Sequence, residues 1–305
     1  MTKIQFFNFF AASCFIILMT FCTKIKQPYD LIDGHTFLQK SERRNDSTSW
    51  ELVWEDEFDV ATLDTSHWTK IGLYTSERLM GNFPKVKTDK NAWKEITNHW
   101  ASYMSAADTD ALEIKDGNIL LKAIVNKDTT KWDNRPYHTG GIWTLNKFAF
   151  QYGRIEVRAK LDPAYGAWPA IWMIPEKKIY KDQHNGELDI MERLNHDDFV
   201  YQTVHSHWNL ELKLETPKRY TTAKINPSDY NVYSVEWYPT KIKFAVNGEV
   251  SFVYSKLQGG GTFQWPFDQP FYLIVDNQLE GWPGKVTHPE ELPIDMTVDW
   301  ARLYQ

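Results

Sequence analysis

Apolar and polar positions alternate in short runs along most of this chain. In "QYGRIEVRAKL", Ile155, Val157 and Ala159 fall on one side and Arg154, Glu156, Arg158 and Lys160 on the other. This period of two is the mark of a half-buried strand. "NVYSVEWYP" and "DMTVDWARLY" repeat it. "ALEIKDGNILLKA" reads as two strands around Asp116-Gly117, and "KIKFAVNGEVSFVY" as two more around Asn247-Gly248. Asp-Gly and Asn-Gly tolerate the positive φ that a tight hairpin turn demands. Helical spacing is confined to brief stretches at Thr88–Glu95 and Pro289–Leu292. Many short strands separated by turns predict an all-β sandwich or jelly roll.

The alternation is absent at the N-terminus. Lys3 precedes "FFNFFAASCFIILMTFC", and a basic start followed by an apolar run reads as a secretory signal. Asn8 and Ser13 interrupt the run, which argues against a membrane span of roughly 20 apolar residues. Cys22 ends the run and resembles the lipidated cysteine of bacterial lipoproteins. That reading gives a lipoprotein-type signal peptide over 1–22 and an exported chain, lipid-anchored at a bacterial outer membrane or cell surface. The alternative is an ordinary cleaved signal with a periplasmic or secreted product. Residues 23–49 are polar and charged, as a tether would be. From 50 to 305 no repeat or second linker appears, so one domain is expected there. Both cysteines, Cys14 and Cys22, lie in the leader, which leaves the domain without disulfides or a thiol metal site.

Composition narrows the partners. A formal net charge of −6 gives no electrostatic reason to expect nucleic acid. The chain carries 14 Trp, 15 Tyr and 17 Phe, enough to fill a β-rich core and still leave flat platforms for the C–H faces of sugar rings. An oligo- or polysaccharide partner fits that load, and nothing in the sequence demands more than a monomer.

The chemistry concentrates in "NGELDIMERL", where Glu187, Asp189 and Glu192 stand among Leu188, Ile190 and Met191. On a helix the three acids would be solvated surface charge. On a strand, Glu187 and Asp189 share a face, and one extra residue in a β-bulge brings Glu192 beside them. Carboxyls held together in this way raise one another's pKa, so an ionised nucleophile and a protonated acid can coexist. Retaining glycosidases use such a pair.

"GELDIMER" resembles the bulged E-x-D-x-x-E signature of glycoside hydrolase family 16. Further matches run in order along the chain: "WEDEFD", "YGRIEVRAKL", "GAWPAIWMIP", "YSVEWYPTKIKFAVNG" and "VDWARLYQ". Their order and spacing are similar to the laminarinase-like branch of that family. The resemblance implies a concanavalin-like jelly roll of two curved antiparallel sheets with a concave substrate cleft. It also implies Glu187 as nucleophile, Glu192 as acid and then base, and Asp189 tuning both.

Other candidates cluster around this motif. "YQTVHSHW" places Tyr201, Thr203, His205 and His207 on one strand face, and His205 matches the histidine that family members carry after their catalytic strand. Trp168 and Trp172, four apart, are expected to line a sugar-stacking track, with Trp143 and Trp282 on cleft-rim loops. Arg135 and His138 in "NRPYHTGG" are candidates for binding sugar hydroxyls. No cofactor is implied for catalysis. Many family members hold a structural calcium, and Glu57 and Asp299 fall where its ligands can arise. "NQLEGWPG" lacks the paired glycine usual in β-1,3-glucanases of the branch, and "RLNHDDFVYQTVHS" looks like relatives from gut Bacteroidetes. Both lean towards internal β-linkages of a galactose-containing glycan, of host O-glycan or poly-N-acetyllactosamine type. Laminarin-type β-1,3-glucan remains the alternative. A non-catalytic carbohydrate-binding jelly roll is a third reading, though a lectin has no need of three clustered acids.

Overall fold

The computed structural model describes residues 29–32, 35–38, 49–72, 100, 102–128, 130 and 133–305, the first two segments as backbone. The signal segment, Cys22, most of the tether and the helical stretch at Thr88–Glu95 lie outside the described residues. Within 23–49, β1 (Tyr29–Ile32) and β2 (His35–Leu38) pair antiparallel, and β2 lies parallel to β9 (Phe148–Ala149).

Two large sheets carry the domain. The first runs in the order β17 (Glu249–Ser255), β16 (Lys241–Val246), β15 (Asn231–Trp237), β10 (Gly153–Leu161), β19 (Ile294–Tyr304), β6 (Asn118–Val125) and β5 (Leu112–Lys115). To it β3 (Leu52–Asp56) adds on β19, and β7 (Tyr137–Thr139) on β6. The second runs β14 (Tyr220–Lys224), β13 (Phe199–His205), β12 (Glu187–Glu192), β11 (Ala167–Pro175), β18 (Phe271–Leu279), β8 (Gly141–Trp143) and β4 (Thr69–Lys70). All pairings within these two sheets are antiparallel.

Local chemistry explains the hairpins. Asp116 and Gly117 have φ of 52° and 71°, and Asn247 and Gly248 have 52° and 81°. Two successive positive φ values match the right-handed twist of the flanking strands. Alternation then sends one face of each sheet inward. Ile155, Val157 and Ala159 of β10 meet Leu188, Ile190 and Met191 of β12 in one continuous core. Two buried amides also cross it: Asn277 donates to the Leu121 carbonyl at 2.9 Å, and Gln202 accepts from Ser251 while donating to the Ile190 carbonyl. The stretch at Pro289–Leu292 forms a single 3₁₀ turn, Pro289–Glu291, in a loop that is otherwise irregular.

A separate apolar cluster covers part of the outer face of the second sheet. Ile71, Met104, Trp143, Trp172, Tyr272 and Ile274 belong to it, with Trp100 packed against them. That face is therefore roofed at the β8 side and leaves β12 and β13 as the place for a site.

Candidate active site

Strand β12 presents its acids to the outer face. Glu187 lies opposite His205, Asp189 opposite Thr203, and Glu192 opposite Tyr201. Only two steps along β13 separate Thr203 from Tyr201, whereas three steps separate Asp189 from Glu192, so the extra residue bulges. The register towards β11 shifts at the same level, between Ile171 and Trp172. Ile190 and Met191 both turn into the core as a result, and Glu192 returns to the face of Glu187 and Asp189.

Each carboxyl is held differently. Glu192 accepts the indole N–H of Trp168 at 2.9 Å. Asp189 lies 3.1 Å from His205 Nε2, and Glu187 lies 3.8 Å from the same nitrogen. Burial pushes all three up, each to about 8. Asp189 adds to the rise at both glutamates, while His205 opposes it there and the Trp168 bond opposes it at Glu192. Arg219 draws Asp189 back down. Near neutrality such a group holds protonated and ionised members side by side, which suits one acid and one nucleophile.

A fourth carboxyl escaped the sequence reading. Asp276 of β18 is fully buried, accepts from Trp172 Nε1 at 3.2 Å and from Gln278 at 2.8 Å, and is pushed up to about 7 by burial. Ala170 lies between it and Glu192, paired with both, so the two acids sit two strands apart across a small side chain. An acid in the middle of the apolar strand "FYLIVDNQL" was the available signal, because an aspartate is rarely buried without a purpose.

The aromatic residues divide. Half-buried Trp168, exposed Trp282 and Tyr201 form one group beside Glu192, with Trp282 centred 4.7 Å from Tyr201 and 6.2 Å from Trp168. Trp172 does share the face of Trp168, but it is no open platform. Its ring is buried, Trp100 packs edge-on against it at 5.1 Å, and its N–H is given to Asp276. Trp143 is not on a rim loop either. It lies in β8, fully buried between Trp100 and Tyr272.

Three further expectations need correction. Arg135 is buried, and its guanidinium forks onto Asp133 at 2.7 and 2.5 Å with a third bond to the Ser102 carbonyl. His138 is likewise buried between Asp108 and Asp133. A buried cation must be paired, and this latch leaves neither side chain at a cleft rim. His207 leaves the strand pattern, because β13 ends at His205 and His207 starts a short helix, His207–Leu210, with its ring 4.4 Å from Phe263. Glu57 takes a two-pronged bond from Arg302 at 2.7 and 2.9 Å, and Asp299 pairs with Arg158. A calcium ion wants about six to eight oxygen ligands, and these two spent carboxylates do not fit one.

Among the described residues, one trio of donor atoms comes within 4.8 Å, from Glu187, Asp189 and His205. With the Arg219 guanidinium behind the histidine, the trio suits proton and glycosyl chemistry better than a cation.

Comparison with known proteins points the same way. A profile described as glycosyl hydrolases family 16 matches residues 91–302. The chain is 36% identical over 266 residues to a keratan-sulfate endo-1,4-beta-galactosidase of Sphingobacterium multivorum, covering 85% of this chain and 56% of that protein. It is 30% identical over 280 residues to a beta-glucanase of Rhodothermus marinus, covering 87% and 88% respectively. The fold matches the X-ray structure of the laminarinase from Rhodothermus marinus with a TM-score of 0.69 at 28% identity, over 84% of this chain and 98% of that one. The chain thus spans little more than half the length of the galactosidase.

Proposed function

The chain belongs to glycosyl hydrolases family 16, and on that premise we propose that it is a retaining endo-β-glycosidase acting on a galactose-containing glycan. The observation that carries the reading is the bulge in β12, which puts Glu187, Asp189 and Glu192 on one outer face beside Trp168, Tyr201 and Trp282.

In the proposed first step the Glu187 carboxylate attacks the anomeric carbon while protonated Glu192 gives its proton to the leaving glycosidic oxygen. The products are a sugar ester on Glu187 and a freed chain end. In the second step Glu192, now ionised, takes a proton from water, and the resulting hydroxide attacks the same carbon. The ester breaks, Glu187 regains its charge and Glu192 its proton. Two inversions leave the configuration unchanged.

The galactose preference is supported by the 36% identity to the keratan-sulfate enzyme and by "NQLEGWPG", which lacks the paired glycine. The beta-glucanase relative supports β-1,3-glucan as the second reading. The test is product analysis after incubating the full-length protein with keratan sulfate, mucin O-glycans and laminarin, with Glu187→Gln run alongside. New oligosaccharides from the galactose-containing chains, absent with Glu187→Gln, are expected. Products from laminarin alone would make it a glucanase. Binding without cleavage would move it to the carbohydrate-binding class.

A further inference from the structure

His205 faces the carboxyls through one ring nitrogen and a cation through the other. Nε2 lies 3.1 Å from Asp189 Oδ2 and 3.8 Å from Glu187 Oε1, while Nδ1 lies 3.4 Å from Nη1 of Arg219. A guanidinium has five N–H donors and no acceptor, so the nitrogen turned towards it has to offer a lone pair. The ring proton then belongs on Nε2, since the bond made by one nitrogen decides the state of the other. We propose that Arg219 is a positioning residue for the glycosidase reaction, holding His205 in its Nε2–H form so that a fixed donor faces Asp189 and Glu187. The role of His205 in this inference rests on the reading of Glu187 as nucleophile.

The fold places Arg219 for the purpose. Its carbonyl accepts from the Val204 amide at 2.8 Å, next in line to His205, so β13 itself fixes the approach of the guanidinium. Half-buried, it also lies 5.7 Å from the Tyr220 ring. The other charged or titratable groups near His205 are Glu187, Asp189 and Glu192 of β12, His184 before that strand, and His207 after β13. His184 is held down to about 4, chiefly by burial. It is therefore neutral at working pH and offers His205 no competing charge.

Without Arg219 the ring is free to carry its proton on Nδ1. The Nε2 lone pair would then face, at 3.1 Å, the buried Oδ2 of Asp189, which has no hydrogen-bond partner among the described residues. Acceptor against acceptor is relieved by a proton on Asp189 or a second one on the ring, and either alters the charge next to the nucleophile.

The test uses full-length protein labelled with ¹⁵N-histidine, its His205 signals assigned by their loss in His205→Gln. Nitrogen shifts separate an N–H from a lone-pair nitrogen. The wild type is expected to show Nε2–H, and Arg219→Met, which has no donor, a mixture or the other form. Loss of such a supporting partner costs about 10–100-fold in kcat, with KM held to about twofold if the interaction serves the transition state. Arg219→Lys, which keeps a donor, should fall between. A merely structural role would lower Tm without moving the ring shifts. Wild-type His205 protonated on Nδ1, or an Arg219→Met variant with unchanged shifts and kcat, overturns the proposal. If the wild type cleaves no glycan, the functional reading fails, and the nitrogen shifts still decide whether Arg219 sets the ring.

Discussion

Trp168 does two things for Glu192: its ring borders the site and its N–H binds the carboxyl at 2.9 Å. The bond favours the ionised form and so works against the burial that keeps Glu192 protonated. Trp168→Phe keeps the aromatic surface and removes only the donor. The pKa of Glu192 should then climb further, and the alkaline limb of the kcat/KM profile, which reports the acid in the free enzyme, should move to higher pH by about half to one unit. A limb that stays put or moves down would mean that Glu192 is not the acid. At this scale the shared face of Glu187, Asp189 and His205 was legible because side-chain parity along a strand is a local property, whereas Glu192 needed the bulge and Trp282 lies in a loop that parity does not reach. The fates of Trp172 and Arg135 were not legible. Parity names the face of Trp172 but not that Trp100, 72 residues earlier in sequence, will cover it. Asp133 stands two residues from Arg135, but the local sequence does not show that its carboxylate and the distant Ser102 carbonyl will together take up the buried guanidinium.

Strand β12 is aimed by its entry as much as by its bulge. Asn185 ties the preceding loop down by exchanging two 2.8 Å bonds with the Tyr180 backbone. Gly186 then turns the chain with φ of 100°, and a Cβ there would meet Pro266, Phe267 and Phe271 at 3.0 Å. Gly186→Ala combines backbone strain with overpacking, for an expected loss of about 2–4 kcal/mol. Because the next residue is Glu187, kcat should fall too. Gly117→Ala is the control. It also sits at positive φ, but its Cβ would meet nothing within 4 Å, so only the backbone term of about 1 kcal/mol applies. Equal losses in urea unfolding would show that the packing around Gly186 is soft. Asp116-Gly117 and Asn247-Gly248 could be read as turns because the required φ belongs to the residues themselves. Gly186 could not, because its constraint comes from side chains roughly 80 residues downstream.

The molecule as a whole meets a cost for its site. Two sheets sharing one core hold Glu187, Asp189, Glu192 and Asp276 on or against a single outer face, partly or wholly out of water. Burial raises each of them in the folded state, to about 8 for the three of β12 and about 7 for Asp276. The unfolded chain returns them to their ordinary values near 4. Between those limits the folded state binds more protons than the unfolded one, so these groups make stability fall as pH rises from about 4 to about 8. Below the ordinary value both states are protonated and the cost vanishes. Replacing one of the carboxyls with its amide should therefore stabilise the protein only at the upper end of that window. For Glu187→Gln, whose side chain keeps 28% of its exposure, the gain is expected on the order of 1 kcal/mol at pH 8 and close to nothing at pH 4. Urea unfolding at the two pH values measures it directly. A gain at pH 8 alongside lost turnover would show that the fold gives up stability to keep its nucleophile chargeable. The same change at both pH values would mean that Glu187 titrates as it does in the unfolded chain, and the charge sharing assigned to the bulged strand would then be wrong.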